Sequence, residues 1–386
     1  MAKKETSEKK SEEKSASNAG SAAAPVNEAV SKKTIAKKKS TTEVVKKDQV
    51  AAKASESKPE VGEKSPEKAP KEKTAEELAK EEEEKKEKEE RLVNYKKAGE
   101  IAKKVKDYMR PKIVVGAKLL KLIEEAEAKI IEFGGKPGFP VNISINNVAS
   151  HYTSTPDDQS VIQDGDIVKF DLGVHIDGYS VDTAFTVNLN KEDSLKNMHK
   201  ASEEAVAAAI KMMKPGTKVN QMGAEIEKVV KSHGFKVISN LQGHKLDRWS
   251  IHAGKSIPCI AMPTPGEPIE EGEVFAVEVF ATNGEGIVHA QTNVYIFSLD
   301  SSIKKVPLRV KSSRHILSYI VKEFVTLPFS KYQIHKEFPN SSFGLLELIK
   351  TGKLIKHNVL AEKKGFYVAQ CEETVLITKD GYQILT

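Results

Sequence analysis

Asp171 and Asp182 lie on two strand-like runs, IVKFDLGVHI and YSVDTAFTV, joined by Asp177-Gly178. A two-residue Asp-Gly link between β-rich runs is a strong hairpin signal. With that pair as the turn, Ile176 faces Tyr179, Gly173 faces Asp182 and Asp171 faces Ala184. Asp171, Gly173 and Asp182 then share one sheet face, the aspartates on a diagonal of roughly 7–8 Å between Cα atoms. Gly173 is expected to leave open space between them. Two carboxylates aimed at one void repel each other and raise a pKa unless a cation lies between. The spacing suits two metal ions roughly 3.5–4 Å apart. The plainer alternative is that one aspartate caps a turn or faces water. The same register puts His175 on that face, so it stays open as a ligand.

Two later carboxylates show the same anomaly. Glu278 lies in EVFAVEVFAT, alternating with Val274, Ala276 and Phe280 on one side. In FYVAQCEETVLIT, Glu372 shares its face with Phe366, Val368 and Leu376, while Glu373 points the other way. A charge on an apolar strand face is expensive unless paired or bound to metal; a salt bridge to a lysine is the competing account for each glutamate. His151, His244, His252 and His289 fall in loops or strand ends rich in Gly, Pro and Ser, where a lone histidine is commonly just exposed. HExxH is absent, as are GxSxG, a phosphate-cradling glycine loop and a cysteine nucleophile in a recognisable setting.

Apolar residues recur at helical spacing over 94–109 and 117–133, the second set being Leu119, Leu120, Ile123, Ala126, Ile130 and Ile131. After the GGKPGFP loop come VNISIN and the hairpin, then helical patterns near 200–213 and 220–233, then the two glutamate-bearing strands. Helix pairs followed by strand hairpins, twice over, predict an α+β domain of two similar halves.

The first ninety residues differ from the remainder. They are Lys, Glu, Ser and Ala with almost no large apolar side chain, so folding would bury too little to offset ordering entropy. Residues 1–75 read as a disordered Lys/Glu-rich tail, 76–92 as a charged helical spacer and 93–386 as the catalytic unit. With only Cys259 and Cys371 there is no disulfide framework, and a reducing compartment is expected. The start, MAKKETSEKK, lacks a signal-peptide h-region, and no run of about eighteen apolar residues occurs. A soluble cytoplasmic protein with no membrane contact follows as an expectation. A net charge of +6 does not argue for tight nucleic-acid binding. With no heptad seam, a monomer is the default.

From about residue 94 onward the chain resembles the type 2 methionine aminopeptidases of the pita-bread fold. The resemblance rests on FPVNISIN, HYT, KFDLGVHIDG, DTAFTV, LQGHK, IHAGKSIP, EGEVFAVE and VAQCEET. It implies a pseudo-twofold pair of αβ halves with an extra helical subdomain at about 300–362, where patterns near 312–325 and 341–350 look helical. It implies removal of the initiator methionine from nascent proteins by a hydroxide bridging two divalent ions, Mn, Fe, Co or Zn. The family's five ligands, in chain order Asp, Asp, His, Glu and Glu, match Asp171, Asp182, His244, Glu278 and Glu372. By the same resemblance Asp182 and Glu372 bridge the ions, Asp171 completes one site, and His244 with Glu278 the other. Glu278 serves as proton shuttle, His151 and His252 contact the scissile amide and the new amine, and Phe139, Leu241, Ile251 and His289 surround the methionine pocket. The Lys/Glu-rich tail implies ribosome association, though its composition equally fits a solubilising tail.

Two departures stand out. Cys371-Glu372-Glu373-Thr374 replaces the family's usual Phe-Glu-His-Thr, and Val279 follows Glu278 where Pro or Thr is usual. The added charge of Glu373 is expected to bear on metal affinity or the pocket wall. The alternative reading is a non-catalytic, ribosome- and RNA-binding proliferation-associated relative of the same fold. Its signature is loss of the metal ligands, all five of which are kept here. A proline-specific dipeptidase shares the ligand set but normally carries a globular domain where this chain has its tail.

Overall fold

The computed structural model describes residues 75–386, and the expected tail, save its last residue, lies outside them. The Glu/Lys-rich stretch and the first apolar helix are one element, α1 (Ala75–Met109). Its first turns are exposed, and only beyond Leu92 does it bury Tyr95, Ala98, Ala102, Val105 and Met109. α2 (Leu119–Glu132) buries Leu119, Leu122, Ile123, Ala126 and Ile130, one helical stripe. Ile131 falls off that stripe and faces water. There follow β1 (Lys136–Ile145), β2 (Val148–Ser150) and the hairpin β3 (Ile167–Ile176) and β4 (Tyr179–Asn188). The second half repeats the plan: α3 (Met198–Lys211), α4 (Val219–Ser232), β5 (Lys236–Val237), β6 (Gln242–Leu246), β7 (Ser256–Pro258) and β8 (Val274–Thr282). Then come β9 (His289–Leu299), α5 (Lys311–Glu323), β10 (Phe329–Ser330), α6 (Lys331–Glu337), α7 (Ser342–Lys350) and β11 (Leu354–Ala361). The chain returns through β12 (Val368–Thr378) and β13 (Gly381–Ile384).

The main sheet runs β1-β3-β4-β12-β8-β6-β7, with β13 beside β12 and β5 beside β8. The hairpin has the expected register: Ile176 opposite Tyr179, Gly173 opposite Asp182, Asp171 opposite Ala184. Asp177 and Gly178 both take positive φ, 50° and 83°, the backbone a tight primed turn requires. A Cβ at Gly178 would meet the Trp249 ring at 2.3 Å, so the turn also needs glycine for space.

Strand alternation sorts the side chains. Phe170, Leu172 and Val174 of β3 and Val181 and Phe185 of β4 join the core under α1 and α2. Phe275, Val277 and Val279 of β8 and Ala369, Cys371 and Val375 of β12 join the core under α3 and α4. The intervening residues face the opposite side of the sheet. Val279, one of the two departures, is thus buried under the helices.

The halves meet between β4 and β12, where only Glu372 and Ala184 are in register. Threonine hydroxyls take the place of regular ladder bonds. Thr183 Oγ1 donates to the Glu372 carbonyl (2.9 Å), Thr186 Oγ1 to the Gln370 carbonyl (2.7 Å) and Thr374 Oγ1 to the Asp182 carbonyl (2.6 Å). The N–H groups of Gln370 and Asp182 donate back to Thr186 and Thr374.

The stretch between β8 and β12 forms a smaller layer. A four-stranded sheet, β10-β9-β11-β2, carries α5, α6 and α7 over a core of Phe297, Ile316, Ile320, Phe329, Leu345 and Leu348. β9 and β11 are not evident in the sequence, because half of β9 is exposed and lacks an apolar alternation.

Candidate metal centre

Five successive strands of the main sheet each contribute one side chain to a single point: Asp171 from β3, Asp182 from β4, Glu372 from β12, Glu278 from β8 and His244 from β6. Registry aligns them, with Glu372 opposite both Ala184 and Glu278, and His244 opposite Ala276. His244 lies within a strand and not in a loop. Two overlapping triads result, Asp182–His244–Glu372 and Asp171–Glu278–Glu372, in each of which one ligand atom per residue lies within 4.8 Å of the others. Glu372 is common to both. Geometry therefore groups Glu278 with Asp171, whereas the resemblance implies that it completes the site with His244.

Gly173 does not leave the expected gap. Phe139 stands opposite it on β1, and a Cβ at Gly173 would lie 2.4 Å from Phe139 Cε1. The glycine lets the phenyl ring lie across the strand. His175 shares the face but stays apart from the cluster: its Nδ1 accepts the Gly178 N–H at 3.1 Å and its ring packs against Trp249.

Four carboxylates this close without a cation are electrostatically costly. Burial pushes Asp171 up to about 7, the Gln370 amide pulling the other way. Asp182 is held well above the carboxylate range by burial and by the charges of Asp171 and Glu278. Burial and Asp171 raise Glu278 likewise, and burial with Asp182 and Glu278 raises Glu372. His244 is lowered to about 3 by burial and by His252, whose ring lies 4.2 Å away. It is a neutral imidazole with a lone pair to offer.

The hydrogen-bond inventory fits a metal. Asp171 Oδ1, Asp182 Oδ1 and Glu372 Oε1 are buried without a hydrogen-bond partner, and His244 turns Nε2 toward them, 3.8 Å from Asp182 Oδ2 and 4.0 Å from Glu372 Oε1. Buried polar atoms are otherwise nearly always bonded. Gln370 Nε2 supplies the cluster's amide donor, reaching Glu278 Oε1 (3.1 Å), Asp171 Oδ2 (3.3 Å) and Glu372 Oε2 (3.4 Å). Carboxylate oxygens with one imidazole make a hard, oxygen-rich donor set suited to divalent ions. The residues present fit such a group.

A cavity of about 260 Å³ opens over the cluster. Phe139, Leu241, Ile251, His151 and His252 line it, together with Ile296, Asn142 and His357, which sequence reasoning did not single out. His289 does not reach it; it lies at the exposed start of β9, in a separate depression with Glu285 and Lys363. His151 takes a left-handed backbone, φ 65°, uncommon for a residue with a side chain and concentrated at functional sites. Its Nδ1 is 3.0 Å from the Asn358 carbonyl. Burial lowers both His151 and His252, so both are neutral near pH 7. Gln370 had a sequence signal, since two residues before Glu372 on a strand means the same face. His357 had none.

Glu373 points away from the cluster into the helix side. Lys106 Nζ of α1 reaches its two oxygens at 2.9 and 3.0 Å, and Thr386 Oγ1 donates to it at 2.6 Å. Its charge is therefore neutralised behind the strand.

Residues 93–379 match the model of metallopeptidase family M24, and the chain belongs to that family. Within it, the chain is 40% identical over 293 residues to the methionine aminopeptidase of Pyrococcus horikoshii, covering 75% of this chain and 97% of that protein. Identity to the methionine aminopeptidase of Methanothermobacter thermautotrophicus is also 40%, over 298 residues, 76% of this chain and 98% of that one. Among solved structures a thermophilic Arx1 superposes with a TM-score of 0.67 at 23% identity, covering 77% of this chain and 90% of that one, a likeness of fold. The pita-bread fold expected from the sequence is thus the fold observed. No helix among the described residues is long and apolar enough to cross a membrane.

Proposed function

We propose that this chain is a methionyl aminopeptidase that removes the N-terminal methionine from proteins with two divalent ions held by Asp171, Asp182, His244, Glu278 and Glu372. The observation that carries the reading is the convergence of four carboxylates and one imidazole from five neighbouring strands, with buried oxygens of Asp171, Asp182 and Glu372 left unpartnered. Four carboxylates balance the charge of two dications, which supports a dinuclear centre over a single ion. Divalent ions at such a centre supply a water of lowered pKa and polarise a carbonyl.

The chain's own groups do the remainder. A side chain of methionine size lies against Phe139, Leu241 and Ile251, which exclude water from it. His151 donates from Nδ1 to Asn358, so its Nε2 lone pair is free to accept the N–H of the scissile amide. His252 stands beside His244 for the departing amine. Glu278 is the carboxyl proposed to take a proton from the attacking water and pass it to the leaving nitrogen.

The helical layer of α5, α6 and α7, inserted between Glu278 and Glu372, supports assignment to type 2. Mn²⁺, Fe²⁺, Co²⁺ and Zn²⁺ all suit the donors. The working setting proposed is the cytoplasm, acting as a monomer on nascent chains, with residues 1–75 as a ribosome-facing tail and 76–92 as its spacer.

The test is methionine release from a Met-Ala-Ser peptide by metal-stripped protein, with and without Mn²⁺ or Co²⁺, beside Asp182→Ala. Metal-dependent release that the variant lacks is the expected result. No release with any metal, together with no metal binding by calorimetry, overturns the reading in favour of a non-catalytic relative.

A further inference from the structure

His357 belongs to none of the expected site residues, yet it lines the cavity from β11, a strand of the smaller sheet. The β9–β11 ladder is broken where it matters: His357 pairs with Ile296 but Asn358 pairs with Val294, so β9 carries one extra residue, Tyr295. Bulges of this kind re-aim side chains beside active sites.

Three contacts from that bulge converge on residues 151 and 152. The Asn358 carbonyl takes the His151 Nδ1–H at 3.0 Å. The His357 ring meets the His151 ring edge-on, centroids 5.8 Å apart at 77°. Tyr295 meets Tyr152 edge-on at 5.4 Å. His357 is itself anchored, its Nε2 lying 2.9 Å from Ser298 Oγ. Burial, with His151 and His252 nearby, lowers it to about 4, so it abuts His151 as a neutral ring. The carbonyl fixes which nitrogen of His151 carries the proton, but a single hydrogen bond still leaves the ring free to rock about it. The His357 ring packs at a steep angle against it, and His151 sits on a left-handed backbone outside any helix or strand.

We propose that His357 is a positioning residue: it holds the His151 ring so that Nε2 faces the cavity, and it does not itself touch the substrate. The inference rests on the proposed peptidase reaction for its kinetic test, but its structural test is independent of that reaction. Well-oriented groups contribute strongly to rate, and a small misplacement costs on the order of tenfold to a hundredfold.

The experiment is a double-variant cycle of His151→Ala and His357→Ala in the full chain, with metal affinity by calorimetry and Tm as controls. His357→Ala is expected to lower kcat about tenfold with KM changed less than twofold and metal affinity unchanged. The double variant is expected to be no slower than His151→Ala alone. His357→Phe, which keeps the ring edge, is expected to recover most of the rate. Additive losses, or a rise in KM with kcat unchanged, would mean that His357 acts on substrate directly and would overturn the proposal. In parallel, the ring ¹⁵N signals of His151 in metal-free protein, assigned through His151→Ala, are expected to show one Nδ1–H form in both proteins, with signals that broaden in His357→Ala as the ring rocks. Unchanged His151 signals would overturn the proposal even if the wild type released no methionine, an outcome that would separately remove the peptidase reading.

Discussion

Glu278 and Glu372 stand directly opposite each other on β8 and β12, two like charges at one cross-strand position. Such a pair is destabilising in a sheet without a counter-charge, and Gln370 offers only a neutral amide to both. The fold therefore holds a repulsion that a cation relieves. Glu372→Gln is expected to stabilise the metal-free protein by about 1–3 kcal/mol, as charge removal at a buried unpaired site does. It should also abolish the gain in stability expected of wild type on adding Mn²⁺, a gain set by mass action. Urea melts in chelator and in excess Mn²⁺ measure both. A variant no more stable than wild type in chelator would show that the carboxylates store no strain.

Thr374 offers a second handle, because its hydroxyl both donates to the Asp182 carbonyl and accepts the Asp182 N–H. Thr374→Val keeps the volume and removes both bonds, leaving buried backbone groups unpaired at the seam of the two halves. A loss of about 1–3 kcal/mol is expected. Because the same bonds orient a proposed ligand, metal affinity should fall about 10–100-fold. A calorimetric titration giving wild-type affinity would confine Thr374 to structure alone.

Lys106 and Glu373 test the departure at the last ligand. Lys106 carries hydrogen bonds to Glu373 and Thr183 from the helix side of the sheet. Lys106→Met leaves the Glu373 carboxylate without its cation, and a loss of about 1–3 kcal/mol is expected. Adding Glu373→Gln should recover most of it, while metal affinity stays within about threefold throughout, since the pair lies behind Glu372. Thermal melts of the four proteins with metal titrations decide it. A tenfold change in affinity for Glu373→Gln alone would mean that the departure reaches the metal centre.

How far the site could be read ahead of the structure follows from the range of each interaction. The β3–β4 register was legible because a two-residue turn sets it locally, and period-2 alternation placed Glu278 and Glu372 on one face. That the five strands would lie side by side was not legible: β12 inserts between β4 and β8, although residues 283–367 lie between β8 and β12 in the chain. The filling of the Gly173 gap by Phe139 required the β1 pairing, which contains register shifts beside Phe139. His357 depended on a bulge that no residue type announces. His289, matched to the pocket by resemblance, faces another depression because the ladder turns its strand end outward.

Glu127 on α2 gives a pH-dependence away from the metal centre. Its Oε1 accepts from Gln333 Nε2 of α6 at 3.3 Å, Lys336 and Glu124 are its charged neighbours, and the Val141 N–H donates to it. Burial nonetheless outweighs these bonds and pushes it up to about 7 from an ordinary 4.5. A carboxyl raised on folding contributes stability that is complete below its unfolded pKa and is lost as pH rises through the folded one. Wild type should therefore weaken between about pH 5 and pH 8 from this group. Glu127→Gln removes the titration, keeps the shape and can still accept from Gln333. The two proteins should match within about 0.5 kcal/mol at pH 5, and the variant should be more stable by about 1–3 kcal/mol at pH 8. Urea melts at the two pH values measure the difference of differences. An equal gap at both would mean that Glu127 is ionised throughout, with Lys336 and the two N–H donors outweighing burial.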